Sequence, residues 1–112
     1  WDQVKEIASS GLVEIGSHSM SHKSLDALDK SSAYRDITES KKILEDKLGL
    51  EVQSFAYPYG RYNNQTTELV KSAGFKTALT TDEGINENID QKFTLKRIHP
   101  RFNTGIALLN LI

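Results

Sequence analysis

The chain has 112 residues, room for one compact domain with one core. Its formal net charge of −1, with 26% charged residues, points to neither nucleic-acid binding nor an acidic tail. With no cysteine there is no disulfide framework and no thiolate site, so any metal must be held by imidazole, carboxylate and water.

No apolar run approaches the roughly 20 residues that span a bilayer. The chain opens at Trp1, without methionine, inside a helical pattern, and is expected to be a piece of something longer. Trp1, Val4, Ile7 and Ala8 share one helical face, and Gly11 stops it. Residues 12–15, Leu-Val-Glu-Ile, read as a short buried strand. Residues 16–28 are a serine-rich loop. Ser31 or Ser32 is the expected cap of a long helix reaching to about residue 48. Its apolar stripe is Tyr34, Ile37, Leu44 and Leu48, and Gly49 ends it.

A second strand is predicted over 52–57, broken by Pro58-Tyr59-Gly60. A third helix starts near Asn64, turns Leu69, Val70 and Ala73 inward and closes at Gly74. Residues 75–80 form a third strand, 81–92 a long polar loop, and 93–98 a fourth strand. A final helix is expected from Asn103 or Thr104. Strands separated by helices of this length imply βαβ crossovers, an α/β class and a mainly parallel sheet.

Such sheets place ligand sites beyond the carboxyl ends of their strands. Three suggestive segments fall there. The first is Gly16-Ser17-His18-Ser19-Met20-Ser21-His22. If residues 19–22 make one helical turn, His18 and His22 share a side and can hold one ion. Neutral imidazole suits zinc, and also iron, cobalt or nickel. Two imidazoles are too few, so a further ligand must come from elsewhere. The competing reading is two exposed loop histidines that happen to sit four apart.

The second segment is Phe55-Ala56-Tyr57-Pro58-Tyr59-Gly60. Proline ends the strand and glycine lets the backbone turn, so the Tyr59 N–H can face a developing oxyanion. The plain alternative is a strand-ending turn with its aromatics in the core. The third is Arg97, His99 and Arg101, which strand alternation points one way. Arg97 can orient a carboxylate bidentately, and His99 can act as a general acid. A solvated edge-strand face accounts for the same pattern. The acids Asp82, Glu83, Glu87 and Asp90 read as solvated loop residues, with a substrate loop as the other option.

In this order the segments resemble a polysaccharide deacetylase, the NodB-homology domain of carbohydrate esterase family four. The resemblance covers about residues 1–101. Residues 14–22 are similar to the family's His-[Ser/Thr]-x-x-His motif. Leu25 and the helix containing Ser40-Lys41-Lys42-Ile43-Leu44-Glu45 fit downstream, as does the helix-to-strand passage Lys71-Ser72-Ala73-Gly74-Phe75-Lys76-Thr77-Ala78. Residues 55–60 resemble the third motif as found in the poly-N-acetylglucosamine deacetylase branch.

The resemblance implies the C-terminal portion of a distorted (β/α) barrel, with residues 1–112 a partial NodB-homology domain. It implies a divalent metal, expected to be zinc, held by His18 and His22, with the Tyr59 N–H on the oxyanion. The implied reaction is hydrolysis of N-acetyl, or O-acetyl, groups on a carbohydrate polymer such as an acetylated amino-sugar chain. An extracellular or cell-envelope setting follows from the same resemblance. The alternative is a catalytically inactive glycan-binding or structural relic of the fold.

Two departures stand out. The family's Asp-Asp motif, source of a metal ligand and the general base, is absent and would lie before Trp1, so the fragment alone should be a poor catalyst. Ala56 occupies the position where the third motif usually has arginine, which leaves Arg97 as the candidate to steady the base. His99 is the remaining histidine for the general acid. An incomplete barrel also leaves open sheet edges, and self-association through them is expected.

Overall fold

The computed structural model describes residues 1–99. Its core lies between one face of a parallel sheet and a pair of helices. The sheet has three strands, β1 (Ser54–Ala56), β2 (Thr77–Glu83) and β3 (Leu95–Arg97), in that spatial order and all parallel. Phe55 of β1 and Ala78 of β2 are buried against Ile37 of helix α2 (Lys30–Leu48) and Val70 of helix α3 (Asn64–Ser72). Helix α1 (Asp2–Ser9) packs on α2.

Local chemistry sets the helix ends. The carboxylate of Asp29 accepts from the Ser32 N–H at 3.0 Å and from the Ser32 hydroxyl at 2.6 Å. The cap is therefore Asp29, and the predicted Ser31 or Ser32 lies inside the first turn. Gly49, at φ 67°, ends α2 in the left-handed conformation that glycine adopts without a Cβ penalty. The face of α2 that is buried runs through Ala33, Ile37 and Ser40, whereas Tyr34 of the predicted stripe is exposed. Asn63 and Thr66 form a reciprocal capping box at the start of α3.

Three predicted elements differ. Residues 12–15 form no strand, and Leu12 is 88% exposed. Among the described residues the pairing nearest to it comes two residues later, where Ser17 bridges Phe55 in parallel. The Ser17 N–H donates to the Ser54 carbonyl at 2.9 Å, and the Ala56 N–H to the Ser17 carbonyl at 2.8 Å. An apolar run with one partner for one residue cannot propagate a ladder. Next, β2 continues to Glu83, three residues into the predicted loop. Finally, β3 is shorter than predicted, and β2 connects to it through residues 84–94 with a short 3₁₀ turn in place of a crossover helix. The predicted helix near Asn103 lies outside the described residues. Among the described residues no helix is long and apolar enough to cross a membrane.

Candidate active site

The first two motifs meet at the carboxyl end of β1. His18 follows Ser17, the residue paired to β1, and its Nδ1 lies 2.8 Å from the Ala56 carbonyl oxygen. A carbonyl only accepts, so Nδ1 carries a proton, and in the neutral ring the lone pair is on Nε2. This is how metal-binding imidazoles are usually oriented. The His22 ring stands edge-on to the His18 ring, centroids 4.7 Å apart, and to the Tyr59 ring at 4.8 Å.

The predicted helical turn is not what brings the histidines together. Ser19 and His22 have φ of 66° and 55°, in the left-handed region. The Ser19 hydroxyl accepts from the His22 N–H at 3.0 Å, and Asp36 on α2 accepts from the Ser21 N–H at 3.3 Å. A tight loop pinned to α2 thus places both rings on one side. Tyr59 has φ 59°, and Ser19, His22 and Tyr59 are the non-glycine residues with positive φ among those described. Each such residue costs on the order of 1–3 kcal/mol, and such strain collects at functional sites. Here it falls on Ser19 and His22 of the histidine loop and on Tyr59, whose ring meets that of His22.

The Tyr59 turn is built to close tolerances. The Gly60 N–H donates to the Tyr57 carbonyl and the Arg61 N–H to the Pro58 carbonyl, so neither bond uses the Tyr59 N–H. Gly60 lies against Thr81 of β2, where a Cβ would sit 2.0 Å from the Thr81 hydroxyl oxygen. Only glycine fits. Tyr57 is buried, its hydroxyl donates to the Phe93 carbonyl at 2.9 Å, and burial pushes its phenol well above its ordinary pKa. Tyr59 itself is 63% exposed. Behind the turn, Arg61 pairs with Asp26 at 3.3 Å, tying it to the loop that follows His22. Asp26 is held below the usual carboxylate range, first by the Ser24 hydroxyl and next by the Arg61 guanidinium.

The third motif reaches the same floor from β3. Arg97 donates from Nε to the Thr80 carbonyl at 2.7 Å, and His99 from Nε2 to the Thr81 carbonyl at 3.2 Å. Both side chains therefore turn back onto β2 next to Gly60, although His99 lies beyond the end of β3. Arg101 lies outside the described residues. Asp82 and Glu83 are exposed at the end of β2, and Glu87 and Asp90 lie in the exposed loop beyond it.

Among the described residues no group of three histidine, cysteine or acidic side chains is placed to hold a metal. His18 and His22 present two adjacent imidazoles, with Nδ1 of His18 committed to the Ala56 carbonyl. Several contributors gave no warning in the sequence. The carbonyls of Ala56, Thr80 and Thr81 carry no side-chain signal, and the roles of Asp36 and Asp26 depend on tertiary contact. The strain at Ser19 is equally silent, because serine does not usually mark a positive φ, whereas histidine at position 22 is a residue type enriched there.

Residues 1–78 match the family model for polysaccharide deacetylase. The chain belongs to the polysaccharide deacetylase family. It is 28% identical over 106 residues to the Bacillus subtilis (strain 168) protein named "Putative polysaccharide deacetylase YxkH", an alignment covering 95% of this chain and 37% of that one. Among solved structures it is similar to the Streptococcus pyogenes deacetylase PplD in complex with acetate, at TM-score 0.90 and 27% identity over 98% of this chain and 48% of that one. It is also similar to IcaB from Ammonifex degensii, at TM-score 0.82 and 25% identity over 98% of this chain and 51% of that one. The chain thus spans about half or less of the length of these relatives. Its mixed α/β fold with a parallel sheet matches the C-terminal part of their deacetylase (β/α) barrel.

Proposed function

We propose that this chain carries the histidine half of a metal-dependent deacetylase centre that removes N-acetyl groups from an amino-sugar polymer. The observation that carries the reading is the His18 Nδ1–Ala56 bond, which leaves Nε2 as a metal-ready lone pair beside the His22 ring. His18 and His22 would hold a divalent cation, with zinc the best match to neutral imidazole. The remaining ligand and the general base would be carboxylates supplied from beyond the described residues. A cation held there would supply Lewis-acid polarisation of the acetyl carbonyl and a more acidic bound water.

This chain's own residues would do the rest. The Tyr59 N–H would receive the charge that develops on the carbonyl oxygen. Arg97 would use its guanidinium fork to steady the carboxylate base. His99 would protonate the departing sugar amine, its ring held by the Thr81 carbonyl. Acetylated polymers of this class belong to cell envelopes and their surroundings, and the enzyme would act there.

Zinc titration of the protein against a His18→Ala, His22→Ala variant tests the proposal, together with acetate release from acetylated amino-sugar oligomers. The variant should lose at least about 100-fold in zinc affinity, since outer partners of a ligand alone are worth 10–100-fold. Unchanged affinity would sink the metal site. The lack of a three-residue ligand group among the described residues keeps a second reading, a glycan-binding relic. Oligomer binding without acetate release by the zinc-loaded intact protein, with its carboxylate-bearing segment in place, would favour it.

A further inference from the structure

Among the described residues, the outer edge of β3 is closed by a side chain. Along β3, Leu95 and Arg97 direct their backbone carbonyls towards β2, accepting from the Thr80 hydroxyl at 3.1 Å and the Gly84 N–H at 3.3 Å. Backbone groups alternate sides along a strand, so those of Lys96 face away from β2. There the carboxamide of Asn86 meets both. Its Oδ1 accepts from the Lys96 N–H at 2.8 Å, and its Nδ2 donates to the Lys96 carbonyl at 2.9 Å. One side chain does at this position what a neighbouring strand would do.

The opposite edge of β3 shows what the clamp is for. Leu79 pairs with Leu95, but the next pair is Glu83 with Arg97, so β2 carries extra residues between them. Such a bulge leaves carbonyls without ladder partners. The carbonyls of Thr80 and Thr81 are the ones that accept from Arg97 Nε and His99 Nε2. Both contacts require β3 to keep its place while only two backbone pairs join it to β2. Asn86 supplies the hold from the outside. The loop containing it leaves β2 at Gly84, so the clamp ties β3 to the end of the bulged strand.

We propose that Asn86 is a positioning residue: by pairing with both backbone groups of Lys96, it fixes β3 in the register that sets Arg97 and His99 on the β2 bulge beside the Tyr59 turn. The inference rests on the proposed function only for its catalytic consequence. Its structural content stands apart from it.

The test is ¹⁵N NMR on the labelled protein, reading the Arg97 Nε–H signal and the exchange of the Lys96 amide. In the parent both should be protected. In Asn86→Ala the Lys96 amide should exchange at least about tenfold faster and the Arg97 Nε–H signal should broaden or vanish, with the Ala56 and Tyr57 amides unchanged. Asn86→Asp is nearly isosteric but, when ionised, can accept and not donate. It should retain part of the Lys96 protection and lose more of it as the pH rises through the carboxyl pKa. Parental Arg97 and Lys96 signals in both variants would overturn the proposal. Loss of Ala56 and Tyr57 protection alongside would also overturn it, because the role would then be one of general stability. If the predicted signals change and kcat for acetate release falls at constant KM, the catalytic consequence holds too. If they change with kcat intact, the positioning role stands and the role assigned to Arg97 and His99 fails.

Discussion

The two halves of the candidate site are held in different ways. His18 hangs on a backbone carbonyl of β1, whose Phe55 is fully buried, and Ser17 beside it shares a buried hydrogen bond of 2.6 Å with Ser40 of α2. Arg97 and His99 hang on a three-residue edge strand, held by side-chain bonds from Thr80 on one side and Asn86 on the other. The first half belongs to the core. The second is assembled from exchangeable polar contacts near the surface, where local opening takes less free energy. The difference teaches that the placement of the histidine pair and the placement of Arg97 and His99 are separable in this fold, with Gly60 against Thr81 as the joint between them.

The joint should give the largest effect. Gly60→Val places a Cβ where 2.0 Å separates it from the Thr81 hydroxyl, at a φ of 66° that valine resists. Both halves should fail together, with about 3 kcal/mol or more lost in urea denaturation. A variant as stable as the parent would mean that the halves are not joined there.

The next effects should split the halves. Ser40→Ala removes the buried partner of Ser17 and should cost about 1–3 kcal/mol, the penalty of an unsatisfied buried hydroxyl. Hydrogen exchange should rise at Ser17 and Ala56 and stay unchanged at Lys96. Thr80→Val is smaller. It loses the bond to the Leu95 carbonyl and the acceptor for the Asp82 N–H, about 1–2 kcal/mol in all. Exchange should rise in β3, with Ala56 protection kept. If either variant loosens both regions equally, the halves are one cooperative unit.

How much was legible in the sequence follows the same division. The order of helices and the parallel pairing of β1 with β2 were readable, because periodicity and the Gly49 and Gly74 stops act locally. The His18, His22 and Tyr59 group was readable as motif positions. Its geometry was not, since it depends on three positive-φ residues of which Ser19 and Tyr59 are of types that do not mark that conformation. Residues 12–15 were misread because apolar composition was taken for pairing, and pairing needs a partner that Leu12 lacks among the described residues. Asn86 was invisible because its role is defined by a strand edge, which exists only once the sheet has formed.

The smallest expected effect concerns acid and probes the first half alone. Asp26 is held below its ordinary value of 3.8 by the Ser24 hydroxyl and then by Arg61, across the loop that follows His22. A carboxyl whose folded pKa is depressed contributes stability above its unfolded pKa, and that contribution disappears as pH falls through the lower folded value. The bridge should therefore hold the histidine loop to the Tyr59 turn at neutral pH and release it only in acid below the ordinary aspartate range. Asp26→Asn removes the titrating group, so the urea midpoint should fall less steeply between about pH 5 and pH 2 than in the parent. Amide exchange at Ser21 and His22 should lose its acid dependence in the same variant, while exchange at Lys96 keeps the parental profile. An identical pH profile in the two proteins would show that the Arg61 contact contributes nothing to the fold, and that Asp36 alone anchors the loop.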